Sequence, residues 1–157
     1  IGTAIGYSAM NMHLINDIKV TTIERDEKMY NKAVEYIGLA KLENKINLIY
    51  ADALLFDNSN LESVDMLYID AAKGQYIKFF EKYVTNLNDG GVIIFDNLLF
   101  HGFVKMEQKD IKNRNTRQLI RKLKEFLEYI QNHPDYDFTL IEEGDGIGIA
   151  KRKDNNG

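Results

Sequence analysis

Residues 90–102 read GGVIIFDNLLFHG, from Gly90 to Gly102. Val92 to Phe95, with Gly91 ahead of them, make an apolar run suited to a strand buried on both faces. Asp96 and Asn97 follow at once, and Leu98, Leu99 and Phe100 come straight after. A carboxylate and an amide closing a core strand are costly unless something satisfies them. They either start a turn or belong to a site, and this run alone leaves both readings open.

The same ending recurs along the chain. Lys19 to Glu24 is β-branched and strand-like, Ile46 to Tyr50 leads into Ala51-Asp52, and Val64 to Ile69 leads into Asp70. Between these runs lie segments with helical spacing: Ser8 to about Ile15, Asp26 to Leu42, Tyr76 to Leu87 and Asn115 to Asn132. Asn88 to Gly91 reads as a turn, and Pro134 marks the end of the longest helix. Phe138 to Glu142 and Ile147 to Lys151, joined through Glu143 to Gly146, predict an antiparallel hairpin. Alternating strands and helices predict an α/β fold of Rossmann-like type, a mostly parallel twisted sheet with a C-terminal antiparallel hairpin. Ligands of such sheets bind at the carboxyl ends of the strands. Glu24, Asp52, Asp70 and Asp96 all fall there.

The 157 residues fit one domain spanning 1–157, with 45% hydrophobic residues, enough for a real core. No apolar run approaches the ~20 residues needed to span a bilayer, so no membrane role is expected. The absence of cysteine excludes disulfides and thiolate metal sites and suits a cytoplasmic setting. A net charge of −4 argues against a generally basic nucleic-acid binder. The chain opens on IGTAIGYS without a Met, as if on the tail of a strand, so upstream sequence is expected.

Gly2 and Gly6 allow a tight strand-to-helix turn and close approach to a ligand, and the helix that follows offers N–H groups to an anion. The spacing is not GxGxxG. Glu24, at the end of the second strand, is placed to accept from ribose hydroxyls. Together these point to an adenosine-type ligand, with NAD and S-adenosylmethionine both open. Asp52 reads either as an adenine contact or as a turn residue. Asp70, Asp96 and Asn97 form a hard-oxygen set suited to Mg²⁺, with the turn reading of Asp96-Asn97 still open. Lys73 reads as a base or as a solvated surface lysine. His13, His101 and His133 show no ligand spacing.

IGTAIGYSA, IERDEKMYNKAVEYI, YADALL, YIDAAKGQY, IIFDNLLFHG and GDGIGIAKR, in this order, resemble the metal-dependent, S-adenosylmethionine-dependent O-methyltransferases, the group of the catechol and caffeoyl-CoA enzymes. Within it the chain is most similar to the bacterial branch that methylates 5-hydroxyuridine at the tRNA wobble position. The resemblance implies a class I methyltransferase fold and a cofactor pocket of Gly2, Ser8 (methionine carboxylate), Glu24 (ribose), Asp52 and Ala53 (adenine), with Asp70 alongside. It implies Asp70, Asp96 and Asn97 as ligands of Mg²⁺ or another divalent cation, Lys73 as the catalytic lysine, and a homodimer for a full-length protein. Members also carry N-terminal helices and a Glu before the first motif, which this chain lacks. Catechol enzymes carry an aromatic residue where this chain has Ala72.

Lys105 to Lys124 holds eight basic residues against Glu107 and Asp110, with Arg114, Arg117, Arg121 and Lys124 on one helical stripe. Such runs are usually solvated helix surface, but this one follows the proposed metal site, where a phosphate-bearing substrate would need it. The expected function is therefore metal-assisted methyl transfer to 5-hydroxyuridine of tRNA, with Leu98 to Phe100 walling the acceptor pocket. A small catechol or caffeoyl-CoA-like acceptor is the alternative. An NAD-dependent oxidoreductase and a non-catalytic RNA-binding module are the rivals from other classes.

Overall fold

In the computed structural model, which describes residues 1–153, the alternating runs form six strands and four α-helices. Residues 154–157, the tail of the expected domain, lie outside the described residues. Two compact units emerge, Ile1–Asp57 and the chain from Asn58 onward.

In the first unit, β1 (Val20–Glu24) and β2 (Ile46–Tyr50) pair in parallel, with Glu24 opposite Tyr50. The helices are α1 (Tyr7–Asn16) and α2 (Glu27–Leu39). The Asp26 carboxylate accepts the Met29 N–H at 2.9 Å, and Glu27 occupies the first turn. Both meet the open donors and positive dipole end of α2. Ala33 and Ile37 turn inward and build a core with Ala9, Leu42 and Ile46. Gly6 precedes α1 at φ 87°, a conformation that a side chain would strain. His13 is buried, and its Nδ1 lies 2.6 Å from the Ile18 carbonyl. A carbonyl only accepts, so Nδ1 carries the proton there, and His13 is a satisfied core residue.

In the second unit, β3 (Val64–Ile69), β4 (Leu87–Phe95), β5 (Tyr136–Ile141) and β6 (Ile147–Arg152) lie in the order β3-β4-β6-β5. β3 and β4 are parallel, and the other two pairings are antiparallel. The helices are α3 (Tyr76–Tyr83) and α4 (Arg114–Gln131). The Asn113 side-chain oxygen caps α4 by accepting the N–H groups of Asn115 and Thr116 at 2.9 and 3.0 Å. Ile120, Leu123, Phe126 and Ile130 form its buried stripe. The Phe126 ring sits 4.7 Å from that of Phe95 and 5.4 Å from that of Tyr76. Burying each such side chain stabilises the fold by about 1.5–3 kcal/mol.

Three local expectations change. The helix expected over 76–87 ends at Tyr83, and Leu87 already pairs with Val64. The expected turn at 88–91 lies within β4, where the register slips between the Val64–Leu87 and Met66–Val92 pairs. Polar side chains tie this stretch down: the Asn86 amide donates to the Asn58 carbonyl at 3.0 Å, and the Asn88 amide donates to Asp65 at 2.8 Å. Leu98 and Leu99 are not pocket wall. Both are buried, and their N–H groups donate to the carbonyls of Gly146 and Asp145 at 2.9 and 2.8 Å.

Candidate active site

In the first unit, the opening loop is pinned to the end of β1. The Gly2 N–H donates to the Ile23 carbonyl at 3.1 Å, and the Ala4 N–H donates to Glu24 Oε2 at 2.8 Å. Glu24 Oε1 accepts the Arg25 and Asp26 N–H groups at 2.9 and 2.8 Å. A carboxylate offers about four acceptor positions, so these three donors leave one on Oε2. Gly2 and Ala4 adopt φ of 92° and 48° to make this turn, while Ser8 stands in the first turn of α1.

At the end of β2, the Ala51 N–H donates to the Glu24 carbonyl at 3.0 Å, which brings Asp52 beside Glu24. Asp52 Oδ1 accepts the Leu54 N–H at 2.8 Å, and Oδ2 pairs with Arg25 at 3.3 Å. The Leu54 N–H, aided by Arg25 and opposed by burial, holds its carboxyl below the usual carboxylate range. Asp52 thus serves the turn after β2, with Ala53 buried next to it, and its adenine role stays an expectation. Arg25 was not foreseen; nothing marks it in the sequence except its place after Glu24.

In the second unit, parallel register sets the geometry. Ile69 lies opposite Phe95, so Asp70 and Asp96 emerge side by side at the carboxyl ends of β3 and β4. Lys73 Nζ lies 3.7 Å from Asp70 Oδ1, and its side chain is only 18% exposed, so the solvated-surface reading of Lys73 fails. Asn97, at φ 57°, turns its amide nitrogen toward Asp70 Oδ1 at 3.3 Å. Its backbone N–H donates to Asp96 Oδ1 at 2.7 Å, and the Tyr68 hydroxyl donates to Asp96 Oδ2. The Tyr76 hydroxyl donates to the Asp96 carbonyl at 2.7 Å.

Burial, and then the bond to Asp96, push the Tyr68 phenol above its ordinary pKa; burial, and then the charges of Asp70 and Asp96, do the same for Tyr76. Both phenols are therefore held as donors. Tyr68 and Tyr76 were not singled out from the sequence, although Tyr68 stands two residues before Asp70 and so shares its strand face.

This arrangement corrects the metal expectation. Asp70, Asp96 and Asn97 do meet, but each Asp96 oxygen already accepts one protein donor, and the Asn97 amide nitrogen lies 3.3 Å from Asp70 Oδ1. Among the described residues, no group of three or more His, Cys, Asp or Glu side chains could hold an ion.

The basic segment is also largely engaged by its neighbours. Arg117 donates from Nε and Nη2 to the Ile111 carbonyl at 3.1 and 2.9 Å, and Lys124 donates to the Met106 carbonyl at 2.8 Å. Arg121 pairs with Glu125 at 3.5 Å, and Lys105 pairs with Glu142 at 2.6 Å. Arg114 stands at the start of α4 and is exposed.

A class I, Rossmann-like methyltransferase fold matches these elements, and comparison with known proteins agrees. The O-methyltransferase family model matches residues 1–153, and the chain belongs to that family. A provisionally named caffeoyl-CoA O-methyltransferase of Arabidopsis thaliana is 33% identical over 97% of this chain and 67% of its own length. A crystal structure of a provisionally named caffeoyl-CoA O-methyltransferase from Staphylococcus aureus superposes with a TM-score of 0.91 at 40% identity, over 97% of this chain and 73% of that one. An O-methyltransferase from Bacillus cereus, solved in complex with S-adenosylhomocysteine, gives 0.81 at 26% identity, over 97% and 71%.

The chain is thus an S-adenosylmethionine-dependent O-methyltransferase, spanning about two thirds of the length of its plant relatives. Family membership removes the NAD-dependent oxidoreductase. It also corrects the expectation of tRNA as partner and 5-hydroxyuridine as target, because the matched relatives are named for caffeoyl-CoA and flavonoid methylation. Among the described residues, no helix is long and apolar enough to cross a membrane.

Proposed function

We propose that the chain transfers the methyl group of S-adenosylmethionine to a hydroxyl of a small hydroxylated aromatic compound of the caffeoyl-CoA, catechol or flavonoid kind. The observation that carries the cofactor half is Glu24. Three backbone N–H groups fix its carboxylate and leave one acceptor position on Oε2, which suits a ribose hydroxyl. Gly2 gives the backbone its close approach, Ser8 takes the methionine carboxylate, and Asp52 with Ala53 takes the adenine.

Asp70, Lys73 and Asp96 act on the acceptor. The Lys73 ammonium first releases a proton to solvent; the hydroxyl O–H bond then breaks and its proton passes to the free Lys73 amine. The oxygen pair forms the new O–CH₃ bond while the sulfonium S–CH₃ bond breaks and sulfur keeps its electrons. The products are a methyl ether and S-adenosylhomocysteine. Asp70, 3.7 Å from Nζ, holds the ammonium that forms. Asp96 accepts a hydrogen bond from the acceptor hydroxyl and orients it. Much of the acceleration then comes from positioning. Arg114 is assigned to an anionic group on the acceptor; Arg117 and Arg121 support it by holding the segment.

The test is transfer of labelled methyl from S-adenosylmethionine to caffeoyl-CoA, a catechol and a flavonoid in parallel, beside calorimetric titration of the cofactor. The expected result is label in at least one acceptor, with S-adenosylhomocysteine formed one for one. Cofactor binding with no label in any acceptor would refute the acceptor class, and absence of cofactor binding would refute the role of the first unit.

A further inference from the structure

We infer that Tyr68 is a positioning residue for methyl transfer, acting through Asp96. The inference rests on the reading that Asp96 orients the acceptor hydroxyl. The strand register supplies the geometry: Tyr68 pairs with Ile94, so its side chain leaves the sheet on the same face as Asp70 and Asp96. Its hydroxyl donates to Asp96 Oδ2, while the Asn97 N–H donates to Oδ1. One donor on each oxygen fixes the plane of the carboxylate. The two remaining acceptor positions then point in set directions, and one of them receives the substrate hydroxyl. The Tyr76 hydroxyl fixes the main chain of the same residue through its carbonyl. The Asp96 N–H donates to the Ile69 carbonyl at 3.1 Å, so Asp96 is held at four atoms, and among the described residues Tyr68 controls the side-chain oxygen that the backbone leaves free to swing.

Tyr68→Phe removes that one donor and keeps the ring. A reacting group misplaced by about 1 Å loses on the order of a hundredfold in rate, and a carboxylate released at one oxygen moves by less. The expected result is a kcat lowered roughly ten- to a hundredfold, with KM for both substrates near that of the unaltered protein and the variant still folded at the assay temperature. Tyr129→Phe is the control, since its hydroxyl reaches Glu81 at 3.4 Å, outside the site; kcat should hold. Asp96→Asn, assayed in parallel, separates the two ideas. If Asp96→Asn abolishes transfer while Tyr68→Phe leaves kcat within twofold, Tyr68 has no positioning role. If Asp96→Asn itself leaves kcat intact, the reading of Asp96 fails first. A Tyr68→Phe loss that appears in KM or in melting temperature instead of kcat would mark Tyr68 as structural and overturn the inference.

Discussion

Glu24→Gln is the substitution that tests the cofactor site most directly. The amide keeps the shape of the carboxylate and one oxygen. That oxygen still accepts the Arg25 and Asp26 N–H groups that now reach Oε1. The new NH₂ group replaces Oε2, faces the Ala4 N–H donor to donor, and cannot accept from ribose. The bond lost to the ligand is one to a charged group, worth about 1.5–3 kcal/mol. At about 1.4 kcal/mol per tenfold, the affinity for S-adenosylmethionine should fall about 10- to 150-fold. Calorimetric titration with S-adenosylhomocysteine reads this without chemistry intervening, and urea unfolding of the unliganded variant checks the fold. A dissociation constant within twofold of the unaltered protein would refute the assignment of Glu24, since no other group at the end of β1 is offered for the ribose.

Three further outcomes are expected. Lys73→Met should lower kcat by about 10²- to 10⁴-fold, the span of a lost general base, with cofactor affinity unchanged in the same titration. Gly148→Ala should destabilise the second unit by about 1–3 kcal/mol in urea unfolding, because the added carbon would lie 2.5 Å from Leu98 Cδ1 and 2.7 Å from Phe138 Cε2. Raised phenol pKa values at Tyr68 and Tyr76 mean that the folded state binds those protons more tightly than the unfolded chain. Their contribution is complete below the ordinary phenol pKa of about 10 and is lost as pH rises beyond it. Unfolding free energies measured from pH 9 to 11.5 should therefore fall more steeply for the unaltered protein than for Tyr68→Phe.

Periodicity carried most of the architecture. The apolar stripe of α4, the strands ending at Glu24 and Asp70, and the C-terminal hairpin all follow from local pattern, and each forms within a few residues of its expected bounds. The failures are where tertiary partners outweighed local preference. Asn88 to Gly91 has turn chemistry, yet pairing with β3 and the grip of Asn86 and Asn88 draw it into β4. Leu98 and Leu99 follow two polar residues and read as a wall of the acceptor pocket, but glycines some fifty residues downstream make room for them in the core.

The same distinction divides the site. Glu24, Asp70 and Asp96 were legible because a carboxylate at the end of a strand is a pattern along the chain. The direction in which Asn97 turns its amide, and the donors that close the acidic pair, depend on register and on one left-handed residue. Spacing cannot express either. Arg117 taught a similar lesson: a stripe of positive charge looked like a surface for phosphate, while its guanidinium serves the carbonyl of Ile111.

The clasp between Leu98-Leu99 and the Asp145–Gly146 turn has a consequence for synthesis. A ribosome releases Asp96 well before it releases the turn that anchors the next two residues, and β6, which completes the pairing of β4, emerges later still. Until then the nascent chain carries β4 with one edge open and Leu98 and Leu99 uncovered, a state prone to association. A protein that stalls or is cut ahead of Gly146 would therefore be vulnerable as well as inactive, and this later stretch acts as the latch for the acid pair.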